Sequence, residues 1–191
     1  GVSFSRRVDF TPASVDLIWE AESYTHPFYK GKALHPRQGF LKIVAMPEFV
    51  RNGNKISSER LVYNWSNGIN VLQAQSGYGR SVLYIDGSLL GRVEEIEVIV
   101  TDPVNNLVAR DRINISPVNP QIIFYENHPY YGYLFENALE SRYDLGSEEL
   151  EIIASPFFFS TRDMSDFVFD WRLNNNLVES IRNSMTAIFR R

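Results

Sequence analysis

The sequence Leu-Val-Tyr-Asn-Trp-Ser-Asn-Gly occupies residues 61–68 and alternates apolar with polar side chains. Leu61, Tyr63 and Trp65 share one face of an extended chain, which is the period of a half-buried β-strand. Asn67-Gly68 follows, and this dipeptide is a strong signal for a hairpin turn. The segment therefore predicts a strand with a tryptophan buried at its centre and a hairpin after it.

A second copy of this pattern occurs as Phe-Val-Phe-Asp-Trp-Arg-Leu-Asn at residues 167–174, which makes Trp171 the counterpart of Trp65. The surrounding sequence matches as well, with a constant offset inside each segment and small changes of offset between segments. Fixed spacing in strands and insertions in loops are typical of a repeated domain. The matching segments are 8–12 with 113–117, 17–19 with 122–124, and 41–47 with 150–156.

The composition excludes several classes of protein. Hydrophobic residues make up 44% of the 191 residues and aromatic residues 14%, which is too much for a disordered chain. The net charge is -4 and no basic run is longer than two residues, so we expect no nucleic-acid partner. The chain has no cysteine, which excludes disulfides and thiolate metal sites. No apolar run is long enough to span a bilayer, so we expect no membrane contact within this chain.

Short apolar segments separated by Pro, Gly, Asn and Asp turns continue through the first copy, and no long helical period is present. About seven strands at this spacing are the signature of an antiparallel β-sandwich. We therefore predict an all-β protein made of tandem immunoglobulin-like antiparallel β-sandwiches of about seven strands each. Residues 23–39 are predicted to form a long loop with one short helical turn. The predicted strands are 17–22, 41–45, 61–66, 69–72, 82–85, 93–100 and 107–115.

The alignment of the two copies predicts three parts. Residues 1–12, with a strand at 4–10, match the last strand of a domain and are expected to be the remnant of a preceding repeat. Residues 13–117 form the first immunoglobulin-like domain, and residues 118–191 form a second one that lacks its last strands. We therefore expect either a longer native chain or a strand supplied by another subunit, for which residues 4–10 have a suitable register.

Trp65 and Trp171 are predicted to be core pins, because a tryptophan in this strand of a sandwich packs between the sheets. A cluster of aromatic residues recurs in the loop that follows the first strand of each copy. We expect these residues to cover a sheet edge or seal the domain junction; stacking on sugar rings is the alternative. The candidate interface residues are Tyr24, Phe28 and Tyr29 in the first copy and Tyr130, Tyr131, Tyr133 and Phe135 in the second.

Nothing in the sequence predicts catalysis. GxSxG and glycine-rich phosphate-binding motifs are absent. The three histidines do not occupy equivalent positions or show the spacing of metal ligands, so we expect surface or loop residues. The acidic residues near turns form no dense cluster and are expected to be solvated, with calcium binding as the alternative. We therefore predict no enzyme activity, no cofactor and no metal. These residues are His26, His35, His128, Asp86, Asp102, Asp111, Asp163 and Asp166.

The strand and hairpin at residues 63–68, the Ser-Gly-Tyr-Gly turn at 76–79 with the strand 82–85, and the strand 96–100 together resemble PKD-like or immunoglobulin-like repeats of bacterial cell-surface proteins. In particular, the chain is similar to immunoglobulin-like extracytoplasmic proteins of candidate-phyla (Patescibacteria-type) bacteria. Trp65 is followed by Ser-Asn-Gly, not by the Asp-Phe-Gly-Asp-Gly-like stretch of PKD repeats, which favours the broader immunoglobulin-like group.

This resemblance implies an exported, non-catalytic protein, located at the cell surface or secreted. The segment 116–120 contains two prolines, which limit the angles between successive domains and favour a semi-rigid rod. The first hypothesis is a structural or adhesive, pilus-associated module with a protein partner or self-assembly. The second hypothesis is a carbohydrate-binding module that uses the loop aromatics to bind a glycan.

Overall fold

The computed structural model describes residues 13–87, 92–139, 149–161, 167–173 and 175–190. Within them the secondary structure is β-strand with a few 3-10 turns, in several antiparallel sheets, so the all-β prediction is confirmed. The strands are β1 (Ala13–Ala21), β2 (Ser23–Tyr24), β3 (Phe40–Arg51), β4 (Asn54–Lys55), β5 (Val62–Asn67), β6 (Asn70–Val71), β7 (Gly77–Tyr78), β8 (Val82–Asp86), β9 (Glu94–Asp102), β10 (Leu107–Ile115), β11 (Gln121–His128), β12 (Gly132–Ala138), β13 (Glu149–Phe157), β14 (Phe159–Ser160), β15 (Arg172–Leu173), β16 (Asn176–Leu177) and β17 (Thr186–Arg190).

The described residues fall into two compact units. The first contains residues 13–20, Leu41–Asp86 and Arg92–Ser116, and the second contains Ala21–Phe40, Gly87 and the described residues from 117 onwards. The domain bounds inferred from the repeat, 13–117 and 118–191, stay a prediction. The strand expected at residues 4–10, and with it the proposed remnant 1–12, lies outside the described residues.

The first unit has two sheets. In one, β3 lies between β1 and β4 and also pairs with β8; in the other the order is β10-β9-β5-β6, with β7 on β5. The strand predicted around Trp65 pairs antiparallel with β9, so that Tyr63 faces Val100 and Trp65 faces Val98. The two sheets are also linked directly, because the backbone N–H of Leu17 in β1 donates to the Asp111 carboxylate in β10 at 2.8 Å.

The core of the first unit follows from the alternation of its strands. In β9 every second residue is buried, as expected for a strand with one face on a core. Burial also raises the pKa of the Tyr63 hydroxyl, which donates to the Ser58 carbonyl oxygen at 3.2 Å. Each large side chain removed from water contributes about 1.5–3 kcal/mol to stability. The fully buried apolar residues include Leu41, Ile43, Phe49, Leu61, Tyr63, Trp65, Leu83, Ile96, Val98 and Val100.

The second unit has a four-stranded sheet of order β12-β11-β13-β17 and two small sheets, β14-β2 and β15-β16. In the large sheet Tyr125 faces Ile153, and both belong to a small buried cluster completed by Phe157. Phe124 faces Ala154 in the same pair of strands, and Ile152 faces Ala187 of β17. The apolar residues of β11, β13 and β17 therefore define the core of this unit.

The loop prediction for residues 23–39 needs a correction. Ser23–Tyr24 forms the short strand β2, which pairs with β14, and no helical turn occurs in this segment. Tyr133 and Phe135, predicted in a loop, lie on strand β12 instead. Gly132, with φ of 72°, turns the chain tightly enough for β12 to fold back on β11.

Candidate functional site

Trp65 is fully buried, and its backbone and indole groups are both bonded. The indole Nε1–H donates to the Arg80 carbonyl oxygen at 2.8 Å. The Trp65 carbonyl oxygen accepts a hydrogen bond from the Leu72 N–H at 2.8 Å, which closes the hairpin after the strand. These bonds tie the strand, its hairpin and the segment before β8 to one side chain, as a core pin would.

Trp171 makes an equivalent set of bonds in the second unit. Its Nε1–H donates to the Ser184 carbonyl oxygen at 2.8 Å, and its own carbonyl accepts from the Val178 N–H at 2.9 Å. The indole is half-buried, with its ring near those of Phe124 and Phe189, at centroid distances of 5.8 and 6.2 Å. It differs from Trp65 in its lower burial and in its backbone, since residues 167–171 belong to no strand, whereas β5 pairs with β9.

Four of the seven predicted interface aromatics lie together in the second unit: Phe28, Tyr29, Tyr133 and Phe135. Phe135 is central, because its ring lies 5.6 Å from Phe28, 5.6 Å from Tyr133 and 5.2 Å from Tyr125 between centroids. The His26 ring lies even closer to Phe135, at 4.3 Å. We call this set, with Tyr29 and Phe157, the aromatic cluster.

The segment that carries Tyr24, Phe28 and Tyr29 is fastened by its backbone as well. The Phe158 N–H donates to the Tyr24 carbonyl oxygen at 2.8 Å, beside the β2-β14 pair. Tyr29 packs edge-on against Phe157 and Phe158, with ring centroids 5.6 and 5.9 Å away. Main-chain pairing and ring packing therefore hold this segment against the end of β13.

A cavity of about 240 Å³ opens beside the cluster, lined by His26, Phe28, Tyr29, Lys30, Tyr125, Phe135 and Phe157. Desolvation lowers the pKa of the His26 imidazole below its ordinary value, and its Nδ1 accepts a long hydrogen bond from the Phe28 N–H. Both features favour the neutral ring. The cavity is therefore aromatic and uncharged on most of its wall, with Lys30 as the one cation among the residues that line it.

Tyr130 and Tyr131 lie apart from the cluster, at the tip of the β11-β12 hairpin. They are 88% and 79% exposed, and in the described part of the chain their ring contacts are with His128. The Tyr130 N–H also donates to His128 Nδ1 at 3.2 Å. The structure therefore separates the predicted aromatics into a packed group and an exposed pair.

His35 lies in a loop as predicted; it is only 1% exposed, and its carbonyl oxygen accepts from the Val118 N–H. The expectation that the acidic residues are solvated near turns needs correction at two positions. Asp111 lies within β10, and its half-buried carboxylate accepts from the Leu17 N–H. Asp102 is 3% exposed and not solvated, because its carboxylate accepts from the Val104 N–H and the Asn105 side chain. These bonds complete a turn of the type that Asp favours.

Asp163 and Asp166 lie outside the described residues. Among the residues that are described, no group of three or more His, Asp or Glu side chains is placed to hold a metal ion. No helix in that part of the chain is long and apolar enough to cross a membrane.

The sequence pattern missed the partners of the aromatic cluster. His26 lies in a loop, as a surface or loop histidine should, but its contact with Phe135 was not predicted, and Tyr125, Phe157 and Phe158 were not singled out. A signal was present, since residues 157–159 are three consecutive phenylalanines, more apolar rings than one face of a strand can bury. In the fold Phe157 and Phe158 pack against Tyr29, and Phe159 packs against Phe167.

The chain matches no protein-family model, and no curated protein or solved structure is significantly similar to it.

Proposed function

We propose that the chain is a pair of tandem immunoglobulin-like β-sandwich modules that serve a structural or adhesive role in an exported bacterial surface protein. The observation that carries this proposal is the repeated bonding around Trp65 and Trp171. In each unit the indole Nε1–H donates to a carbonyl just before the next strand, and the tryptophan carbonyl accepts from the hairpin.

A third bond supports the repeat. The Ala45 N–H donates to the Ser81 carbonyl in the first unit, and the Ala154 N–H donates to the Met185 carbonyl in the second. Ala45 and Ala154 are counterparts in the sequence alignment of the two copies, and Ser81 and Met185 each lie immediately before the next strand, β8 and β17. Because three hydrogen bonds recur at corresponding places in the two units, duplication of one module explains them more simply than coincidence does.

The packing of the loop aromatics favours a structural role. Five of the seven interface candidates contact other protein groups in the aromatic cluster or the β2-β14 pair, and of these five Phe28 alone keeps most of its surface exposed. Prolines at positions 117 and 120 fix φ at two points between the copies. A semi-rigid rod of such modules is the shape that we propose.

Strand donation between subunits is part of this proposal. Residues 167–171 correspond to β5, and the partner of β5 in the first unit is β9. β10 pairs with β9. Residues 4–10 match β10 in sequence, so they would complete the second unit only together with a strand that corresponds to β9. A donor must therefore supply a two-stranded ribbon.

Surface labelling tests the proposed role. Antibodies raised against the first unit should label intact native cells, and protease added outside intact cells should remove that signal. A cytosolic protein should be labelled only after lysis and serves as the control. Labelling of the chain only in lysed cells would contradict an exported surface module.

Binding of a glycan is the second candidate function, and the exposure of the hairpin-tip pair favours it. Tyr130 and Tyr131 present ring faces to solvent, as does Phe28, which is 70% exposed. Stacking on sugar rings uses such faces. Glycan-array binding that is lost in the Tyr130→Ala, Tyr131→Ala variant but kept in Tyr78→Ala, Tyr84→Ala would support it. Retained binding in the first variant would exclude the tip as the glycan site.

A further inference from the structure

A cleft of about 430 Å³ lies at one end of the first unit, and the turn at Asp102 forms part of its wall. Three turns form it: the β3-β4 hairpin, the 3-10 turn Ser58–Arg60 with the residues before it, and the turn after β9. Its polar wall includes Arg51, Lys55, Ser57, Arg60 and Asn105. Turns that meet at the end of a sandwich are common places for ligands, because their side chains converge on one spot.

The charge in this cleft is positive although the whole chain carries -4. Arg51, Lys55 and Arg60 line it and are all exposed. In the part of the chain that the structure describes, none of the three makes an ion pair; the ion pairs there use Lys42, Arg112, Arg182 and Arg190. Three cations are therefore gathered in one concavity without a carboxylate within salt-bridge distance.

The one carboxylate in the cleft offsets only part of this charge. Asp102 accepts hydrogen bonds from Asn105 and Val104, and these bonds together with the charge of Arg51 lower its pKa, so it counts as one negative charge. With three cations and one carboxylate the cleft carries a net charge of +2. Like charges held close together repel, so an arrangement of this kind gains stability when an anion lies between them.

We propose that this cleft binds the oxyanion groups, phosphate or sulfate, of an elongated anionic ligand. The two guanidinium groups offer planar pairs of N–H donors that match oxyanion geometry, and Lys55 supplies a mobile point charge. The Ser57 hydroxyl is available as a further donor, since it makes no capping hydrogen bond to the 3-10 turn.

The shape of the surface favours an elongated ligand over a free ion. A second concavity, of about 530 Å³, adjoins the first and shares Lys55, Ile56 and Ser57 with it. It continues along Met46 and Pro47 to Ser81, and apart from Lys55 its wall is uncharged. A ligand with several anionic groups on a carbon backbone would place one group among the cations and its backbone along this second concavity.

Amide chemical shifts of the full chain, measured during titration, test the proposal. Inorganic phosphate and sulfate should shift the resonances of residues 51–60 and 102–105 at millimolar concentration, while sodium chloride of equal ionic strength should not. A phosphorylated and a sulfated oligosaccharide of equal length should each bind at least about tenfold more tightly than the free ions, because the carbon backbone adds contacts along the second concavity. The tighter of the two identifies the source of the oxyanion.

The decisive variant is Arg51→Ala, Lys55→Ala, Arg60→Ala, for which we expect binding to fall about tenfold or more, since each lost contact is a charge-assisted hydrogen bond. The matched control, Arg37→Ala, Arg92→Ala, Arg110→Ala, removes the same charge from exposed sites outside the cleft and should bind as the wild type does. Equal losses in both variants, or shifts that chloride reproduces, would overturn the proposal.

Discussion

Trp65 and Trp171 donate equivalent indole hydrogen bonds, but the Trp65 side chain is more deeply buried than that of Trp171. Trp65 is 0% exposed, and the Arg80 carbonyl that it binds lies in a part-buried contact. Trp171 is half-buried, so water can reach much of its ring. The same substitution at the two positions therefore separates the contribution of burial from that of the hydrogen bond.

We expect Trp65→Phe to lower the free energy of unfolding by about 2–4 kcal/mol, since it leaves a cavity and a carbonyl without its donor. Trp171→Phe should cost about 1 kcal/mol or less, because water can replace the donor there. Urea unfolding followed by circular dichroism measures both. Tyr84→Phe, at an exposed site, is the control. Equal losses at the two tryptophans would contradict a deeper pin at Trp65.

His26 gives the stability of the second unit a pH dependence of known sign. Its pKa in the folded protein is lowered from the ordinary value of 6.5 by desolvation. The unfolded chain therefore binds a proton at a pH where the folded chain does not, and stability is lost as the pH falls through about 6.5. Tyr29, Lys30 and Tyr125 share the cavity, and burial raises the pKa of the Tyr125 hydroxyl.

Unfolding measured at about pH 7.5 and about pH 5.5 checks this expectation, with the wild type less stable at the lower pH. His26→Gln should remove that part of the difference. His128→Gln is the matched control, because His128 also accepts a backbone hydrogen bond two residues on but lies outside the aromatic cluster. A slope that persists in His26→Gln and disappears in His128→Gln would contradict the assignment.

At the scale of single elements, local pattern predicted the strands well where turn residues bound them. The strand predicted at 107–115 is β10, and 82–85 extends by one residue to Asp86 in β8. The strand at 41–45 was predicted to end before Pro47, yet β3 continues to Arg51. The proline is tolerated because pairing with β8 ends near Ala45 and pairing with β4 begins at Val50, so no ladder bond is lost between them.

The aromatic cluster could not be predicted from local pattern. Phe28 and Phe135 are more than a hundred positions apart in sequence, and alternation says nothing about contacts at that range. The sequence identified four of the residues involved as interface candidates but placed them in two separate loops. The pairing of β2 with β14 could not be predicted from the sequence pattern, because each strand contributes only two residues and so short a strand shows no periodicity.

Phe135→Ala tests whether the cluster holds residues 24–29 in place. Removing a ring that packs against His26, Phe28, Tyr125 and Tyr133 should cost about 2–3 kcal/mol and loosen the β2-β14 pair. Hydrogen exchange at the Phe158 amide, which donates to the Tyr24 carbonyl, should speed up.

The control is Tyr131→Ala at the exposed hairpin tip, which should leave both the stability and that amide unchanged within about 0.5 kcal/mol. If both variants behave as the wild type does, the ring contacts contribute nothing to fastening the segment. If both speed up exchange equally, the effect belongs to the β11-β12 hairpin as a whole and not to the cluster.

For the whole molecule, the sequence predicts a repeat but does not indicate which residues associate. Residues 23–39 fall inside the predicted first domain, while in the folded chain Ala21–Phe40 belongs to the second unit. The repeat stays a prediction that rests on the constant spacing of matching segments, and the similar hydrogen bonds of Trp65 and Trp171 are in keeping with it. The association was not visible because a loop can pack on either neighbour without any change in its own pattern.

Residues 167–171, the proposed counterpart of β5, belong to no strand, and a fusion protein tests whether they accept one as a partner. In the first unit the equivalent strand β5 is covered by β9, with Trp65 opposite Val98, and β9 is covered by β10. If the second unit is the same module, a copy of residues 92–116 joined to Arg191 through a flexible Gly-Ser linker should pair there and place its own Val98 opposite Trp171. We expect hydrogen exchange within residues 167–171 to slow by about tenfold or more in this fusion.

A fusion carrying Val98→Lys and Val100→Lys, which puts charges at positions fully buried in β9, should give no protection. Equal protection by both fusions, or by neither, would show that residues 167–171 do not accept a strand in the register of β5. Either result would contradict an immunoglobulin-like second unit.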